Sequence, residues 1–130
     1  MKKASLFIAI LIALMSFTSC VVNENTGEIM FINYSDKDLT LKVGDISMFA
    51  AKGAHTSYFF STEIMGKVSA EGAELIYTSL KEPTFTFKPG YGYTIFSLHS
   101  TTTDKNYILV GSGSKPGSND SHNPNNLANP

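Results

Sequence analysis

Between Glu28 and Gly111, turn residues interrupt the chain about every 8–12 residues, and apolar and polar side chains alternate between them. That punctuation is too frequent for helices and matches short β-strands. Leu39, Leu41 and Val43 alternate with Thr40 and Lys42, and Phe85 and Phe87 alternate with Thr84, Thr86 and Lys88. In 92–99, Tyr93, Ile95 and Ser97 are expected on one face, with Thr94, Phe96 and Leu98 on the other. Ile29 to Tyr34 is apolar on both faces up to Asn33, which predicts a strand well inside the fold. Further strands are expected over 46–51, 56–61 and 106–110, with a hairpin over 66–70 and 73–79. Ser35–Asp38, Gly44–Asp45, Lys52–Gly53, Glu71–Gly72 and Pro89–Gly90 supply the turns, and 62–65 reads as one helical turn or a loop. The expectation is an all-β domain, a single small antiparallel β-sandwich of about seven or eight strands, with a small β-barrel as the alternative.

The N-terminus has a different character. Lys2 and Lys3 precede an apolar run from Leu6 to Met15, too short to span a bilayer, and small residues follow. This is the layout of a secretory signal peptide. The run closes on Phe17-Thr18-Ser19-Cys20, and Cys20 is the only cysteine. These residues resemble the lipobox of bacterial lipoproteins, with Phe17 where Leu is usual. The resemblance implies diacylglycerol transfer to the Cys20 thiol, cleavage after Ser19 and acylation of the new N-terminus. It also accounts for an unpaired cysteine in an exported chain, where thiols ordinarily pair. Residue 21 is Val, not the Asp that retains enteric lipoproteins at the inner membrane, so the resemblance implies the outer membrane. The acidic stretch Val22–Glu28 is similar to signals that send some Bacteroidetes lipoproteins to the cell surface, which leaves the periplasmic and surface faces both open.

The expected organisation is a signal peptide at 1–19, a lipidated cysteine and tether at 20–27, a β-domain at 28–111 and a tail at 112–130. The tail is rich in Gly, Ser, Asn and Pro, has Leu127 as its one large apolar residue, and is expected to be disordered. Thr84 to Ile95, with its Pro89–Gly90 turn and Tyr93-Thr94-Ile95 strand, resembles a hairpin of prealbumin-like and immunoglobulin-like bacterial domains. That likeness implies a fold and carries no active site.

Composition narrows the chemistry. Without Lys2 and Lys3, eight lysines face eleven acids, a net charge of about −3, and the chain has no arginine. Lacking the residue that grips phosphate and guanine in two-pronged fashion, it is not expected to bind nucleic acid. His55, His99 and His122 are scattered and show no metal-ligand spacing with one another or with Cys20. Asp36 and Asp38 supply two carboxylates where Ca²⁺ needs six to eight oxygens. No Gly-x-Ser-x-Gly elbow occurs. No catalytic residue, metal or cofactor is expected, and the chain is read as not an enzyme. Tyr91 and Tyr93, spaced by Gly90 and Gly92, are the candidate ligand-binding residues, as exposed rings able to stack on a sugar or anchor a protein.

The function expected is that of a lipid-anchored cell-envelope protein, held to the membrane through Cys20 and serving as a non-catalytic binding or accessory module for a protein or glycan. A structural subunit of a surface fibre or envelope complex is the alternative, and a small enzyme or enzyme inhibitor is a third.

Overall fold

The computed structural model describes residues 25–76 and 84–124. Cys20, the signal segment, 77–83 (with Pro83, where a strand is expected to begin) and 125–130 lie outside the described residues. What is described is all-β. The strands are β1 (Gly27–Tyr34), β2 (Leu39–Val43), β3 (Ile46–Ala50), β4 (His55–Phe60), β5 (Ile64–Gly66), β6 (Val68–Ala70), β7 (Ala73–Leu75), β8 (Phe85–Phe87), β9 (Gly92–Ser100), β10 (Lys105–Val110), β11 (Gly113–Ser114) and β12 (Ser121–His122). The stretch around 62–65 is no helix: Ile64–Gly66 pairs with Phe85–Phe87 instead.

Ten strands form one continuous sheet; eight run in the order β4-β1-β9-β10-β7-β6-β2-β3, and β11 and β12 branch from β9. It is mixed: β1 runs parallel to β9 and β10 runs parallel to β7. The sheet coils nearly shut, with a seam between its two end strands, β3 and β4, which share no ladder. The barrel alternative therefore fits. A sandwich needs two separate facing sheets. Here β1 bonds to strands on both sides and carries the ladder round, and the only second sheet among the described residues is the β5–β8 pair.

Alternation sets what fills the barrel. Ile29, Phe31, Leu41, Val43, Tyr93, Ile95 and Ile108 turn inward from β1, β2, β9 and β10 and are almost wholly buried. Phe85 and Phe87 join them from β8, and the Phe87 ring meets Tyr93 edge-on at 4.9 Å. The outward side chains of the central strands are also apolar. Ile32, Phe96 and Leu109 form one cross-strand row; Tyr34, Leu98 and Tyr107 form the next. The first strand is thus inside the fold on one face only; the other is partly open to solvent.

One polar side chain sits among the inward residues of β1. Asn33 has no solvent exposure, and its amide Nδ2 donates to the carbonyls of Lys37 (2.8 Å) and Ala50 (2.9 Å). Its Oδ1 accepts from Ser97 Oγ (2.7 Å), Ser35 N (3.0 Å) and Ser35 Oγ. Its own backbone bonds to Ala54 O and Gly53 N across the seam turn, where Gly53 adopts a φ of 78° that only glycine takes readily. Every donor and acceptor of the side chain is used, which a buried amide requires.

Elsewhere the packing needs the absence of a side chain. A Cβ on Gly66 would lie 2.6 Å from the Cα of Gly44, backbone against backbone, so β5 closes on the β2–β3 turn only as glycine.

Asn33→Ala would strand partners on β3, β9 and the 35–38 turn at once. It is expected to cost about 3 kcal/mol, read as a lowered urea midpoint at unchanged slope. Gly66→Ala should destabilise by about 1–3 kcal/mol, while Gly92→Ala, whose added Cβ meets nothing within 4 Å, stays well below that.

Candidate functional site

Pro89–Gly90 turns β8 back into β9, with Gly90 at a φ of 92°. The turn delivers Tyr91 and Tyr93 to one end of the barrel, but not as two exposed rings. Tyr93 is 1% exposed, and its ring is part of the core. The expectation that it projects for stacking is overturned, because the strand period that places Ile95 and Ser97 inward places Tyr93 inward with them. Tyr91 is half-buried, packed against the core with its centroid 6.3 Å from Tyr93 and 5.7 Å from the His122 imidazole.

The segment expected to be a disordered tail supplies that imidazole. Gly111 N bonds to Thr94 O, and Ser114 then pairs with Gly92, so β11 continues the β10 edge after a break. β11 forms a hairpin with β12, and the following residue pair reaches β8, where Thr86 N donates to Pro124 O at 2.7 Å. Low apolar content fails as a guide here because the segment docks by backbone bonds and glycine packing. A Cβ on Gly113 would strike the Tyr93 ring at 2.4 Å.

His122 and Tyr93 meet directly, Oη to Nδ1 at 2.8 Å. Lys88 N donates to the same phenol oxygen at 2.9 Å. Burial pushes the Tyr93 phenol up to about 12. Burial, with the Lys88 charge behind it, holds His122 below the usual histidine value. Both shifts favour the neutral form of each group, and the contact clasps the tail to the core.

A second polar cluster lies at the opposite end of β1. His99 Nδ1 faces Asn106 Oδ1 at 3.0 Å and Asp36 Oδ2 at 3.5 Å, while His99 Nε2 faces Asp104 Oδ1 at 3.3 Å. Asn106 Nδ2 donates to Asp36 Oδ1 at 2.8 Å, which, with His99 and Lys37 nearby, holds the Asp36 carboxyl below its ordinary range. An open depression of about 490 Å³ adjoins this cluster, lined by charges of both signs: Asp36, Lys37, Glu74, Asp104 and Lys105. Both His99 ring nitrogens are occupied and the two carboxylates lie on opposite sides of the ring, so no metal geometry results. Among the described residues no group of three His, Cys, Asp or Glu converges on a point. Asp38 is drawn away from Asp36, accepting from Lys52 N at 2.8 Å. His55 stands exposed on β4, far from either cluster in sequence. Spacing along the chain assigns the histidines no neighbours; Asp36 and His99 meet only through the β1–β9 and β9–β10 ladders, which spacing does not reveal. No protein-family model, no curated protein and no solved structure matches this chain.

The His122 clasp has a definite pH dependence. Its folded value lies below 6.5, so the docked tail gains its full stability above that value and loses it as the pH falls through the lowered one. Tail amides over 113–124 should therefore exchange faster in mild acid, and His122→Gln should remove that acid limb. At the alkaline end Tyr93 acts in the opposite sense, its contribution intact below 10 and falling away as the pH rises toward about 12.

Proposed function

We propose that this chain is a bacterial lipoprotein, held at the outer membrane through lipid on Cys20, whose domain serves as a non-catalytic binding or accessory module of the cell envelope. The observation that carries the binding part is the packed interior. Among the described residues, Ile29, Phe31, Phe85, Phe87, Tyr93, Ile95 and Ile108 fill the barrel to 1% exposure or less, which favours contacts on its outside over a ligand held within. Contacts with a protein or glycan then belong to the outside of the barrel and its edges. The anchor part rests on the lipobox-like residues and on the short distance between Cys20 and Gly27, where β1 begins. At about 3.4 Å per residue this tether reaches little more than 20 Å, so the domain is presented close to the membrane surface. Anchoring needs more than one acyl chain, and a triacylated cysteine supplies three.

A second reading, a structural subunit joined by strand addition, is supported by the β3–β4 seam, whose edges pair with no strand among the described residues.

Cys20→Ala is expected to abolish labelling by a fatty-acid analogue and to move the protein out of the membrane fraction. Unchanged labelling and fractionation would remove the anchor from the proposal. Protease treatment of intact cells, followed at a C-terminal epitope beside a periplasmic control protein, assigns the face: loss of the epitope with survival of the control places the domain outside.

A further inference from the structure

β1 is the described strand nearest to Cys20 along the chain, and its outward face is apolar. Ile29, Phe31 and Asn33 point into the core, so Met30, Ile32 and Tyr34 point away from it. The ladders carry this face across two more strands. Ile32 stands beside Phe96 and Leu109, and Tyr34 stands beside Leu98 and Tyr107. Tyr34 is 63% exposed, and the others are half-buried. The borders of the face are polar. His55 and Ser57 lie along it on β4. Glu28, at the start of β1, is itself buried, and on the far side Glu74 and Lys105 neutralise each other at 3.2 Å. The wall made by β2, β3 and β6 is different in kind: there Phe49 stands among Thr40, Lys42, Ser47 and Ser69.

We propose that the outer face of β1, β9 and β10 lies against the lipid bilayer, with Ile32, Phe96 and Leu98 at the boundary between headgroups and acyl chains. The proposal rests on the lipid anchor at Cys20 and adds what the anchor alone does not fix, which is how the domain lies. The chain that precedes the face argues for a bilayer over a protein. The tether from Cys20 to Gly27 reaches roughly 20 Å. The eight residues of β1 span about 26 Å, so the tether is shorter than the strand it leads into. β1 and its apolar face are therefore kept at the membrane. A surface linked at such short range acts at an effective concentration in the millimolar range, so even a weak contact is occupied. A protein partner would first have to displace it. The two tyrosines fit the same reading. Tyr34 and Tyr107 flank Leu98, and the Tyr107 hydroxyl meets Thr103 Oγ1 at 2.9 Å, at the polar rim. A ring on apolar ground with its hydroxyl toward water is the placement tyrosine takes at headgroup level. The chain has no arginine, and the face itself has no cation but the paired Lys105, so the contact is apolar and needs no anionic lipid.

The test uses the full chain as cells process it, purified and reconstituted into phosphatidylcholine vesicles that carry a nitroxide-labelled phospholipid. Tyr34→Cys and, separately, Tyr107→Cys are coupled to a small thiol-reactive fluorophore. Thr40→Cys, on β2 and four strands round the sheet from β9, is the control position, beside the unsubstituted chain. Cys20 is the only cysteine, so an unsubstituted chain lipidated there takes up no fluorophore. Quenching by the lipid nitroxide several-fold stronger at positions 34 and 107 than at position 40 is expected. Equal quenching at all three positions, with Cys20 unlabelled, overturns the bilayer contact and leaves the anchor standing. Fluorophore on Cys20 of the unsubstituted chain overturns the anchor and this proposal with it. Shielding of positions 34 and 107 from aqueous iodide and from the lipid nitroxide alike means that protein covers the face, which also overturns the bilayer contact.

Discussion

A single buried amide closes this barrel. Asn33 is a hydrogen-bonding residue at a position where strand alternation would put an aliphatic one, and it touches the 35–38 turn, the end of β3, the β3–β4 turn and β9. The sheet has to bend from β4 round to β3, and at the seam there is no ladder to hold the two ends in place. The Asn33 side chain takes over that task with bonds of defined direction. A leucine there would bury more apolar surface but leave Ser97 and the Ala50 carbonyl without partners, and unmade bonds in a closed interior are costly.

The opposite end of the barrel is finished differently. There the core opens onto the Pro89–Gly90 turn, and the C-terminal segment folds back over it: glycine against the Tyr93 ring, imidazole against its hydroxyl, and a proline carbonyl against β8. Tyr93 thus has an apolar ring in the core and a polar tip that recruits the tail. At these two ends, two of the three histidines act as positioners. His99 ties a loop to β9 and β10, and His122 ties the tail to the core.

Most of the strands were legible because period-two alternation and turn residues are local properties. Leu39 to Val43, the Pro89–Gly90 turn and the inward set Tyr93, Ile95 and Ser97 all stand where the pattern puts them. What was not legible is pairing at a distance. Nothing local to Ile29–Tyr34 or Gly92–Leu98 announces that they lie side by side and parallel, and that pairing makes one rolled sheet in place of two stacked layers. The tail was misread for a related reason. Composition measures how much apolar area a segment can bury, and 112–124 is held by backbone bonds and by the fit of Gly113 on a ring, neither of which hydrophobicity records. Tyr91 and Tyr93 were singled out as candidate ligand-binding rings beside one turn, and the alternation that turns Ile95 and Ser97 inward already buries Tyr93.

The parallel β1–β9 ladder governs the order in which the domain can be made. β1 is the first of the described strands along the chain. Its parallel neighbour comes almost at the end of the domain. Until then β1 has only β4 to pair with, and both of its apolar faces remain open to water. Contacts this distant along the chain form late and slowly. Closure of the barrel is therefore a final event, completed only when β9 has arrived, and in the interval the nascent domain is an open hydrophobic ribbon that depends on holding factors or speed to reach its closed form.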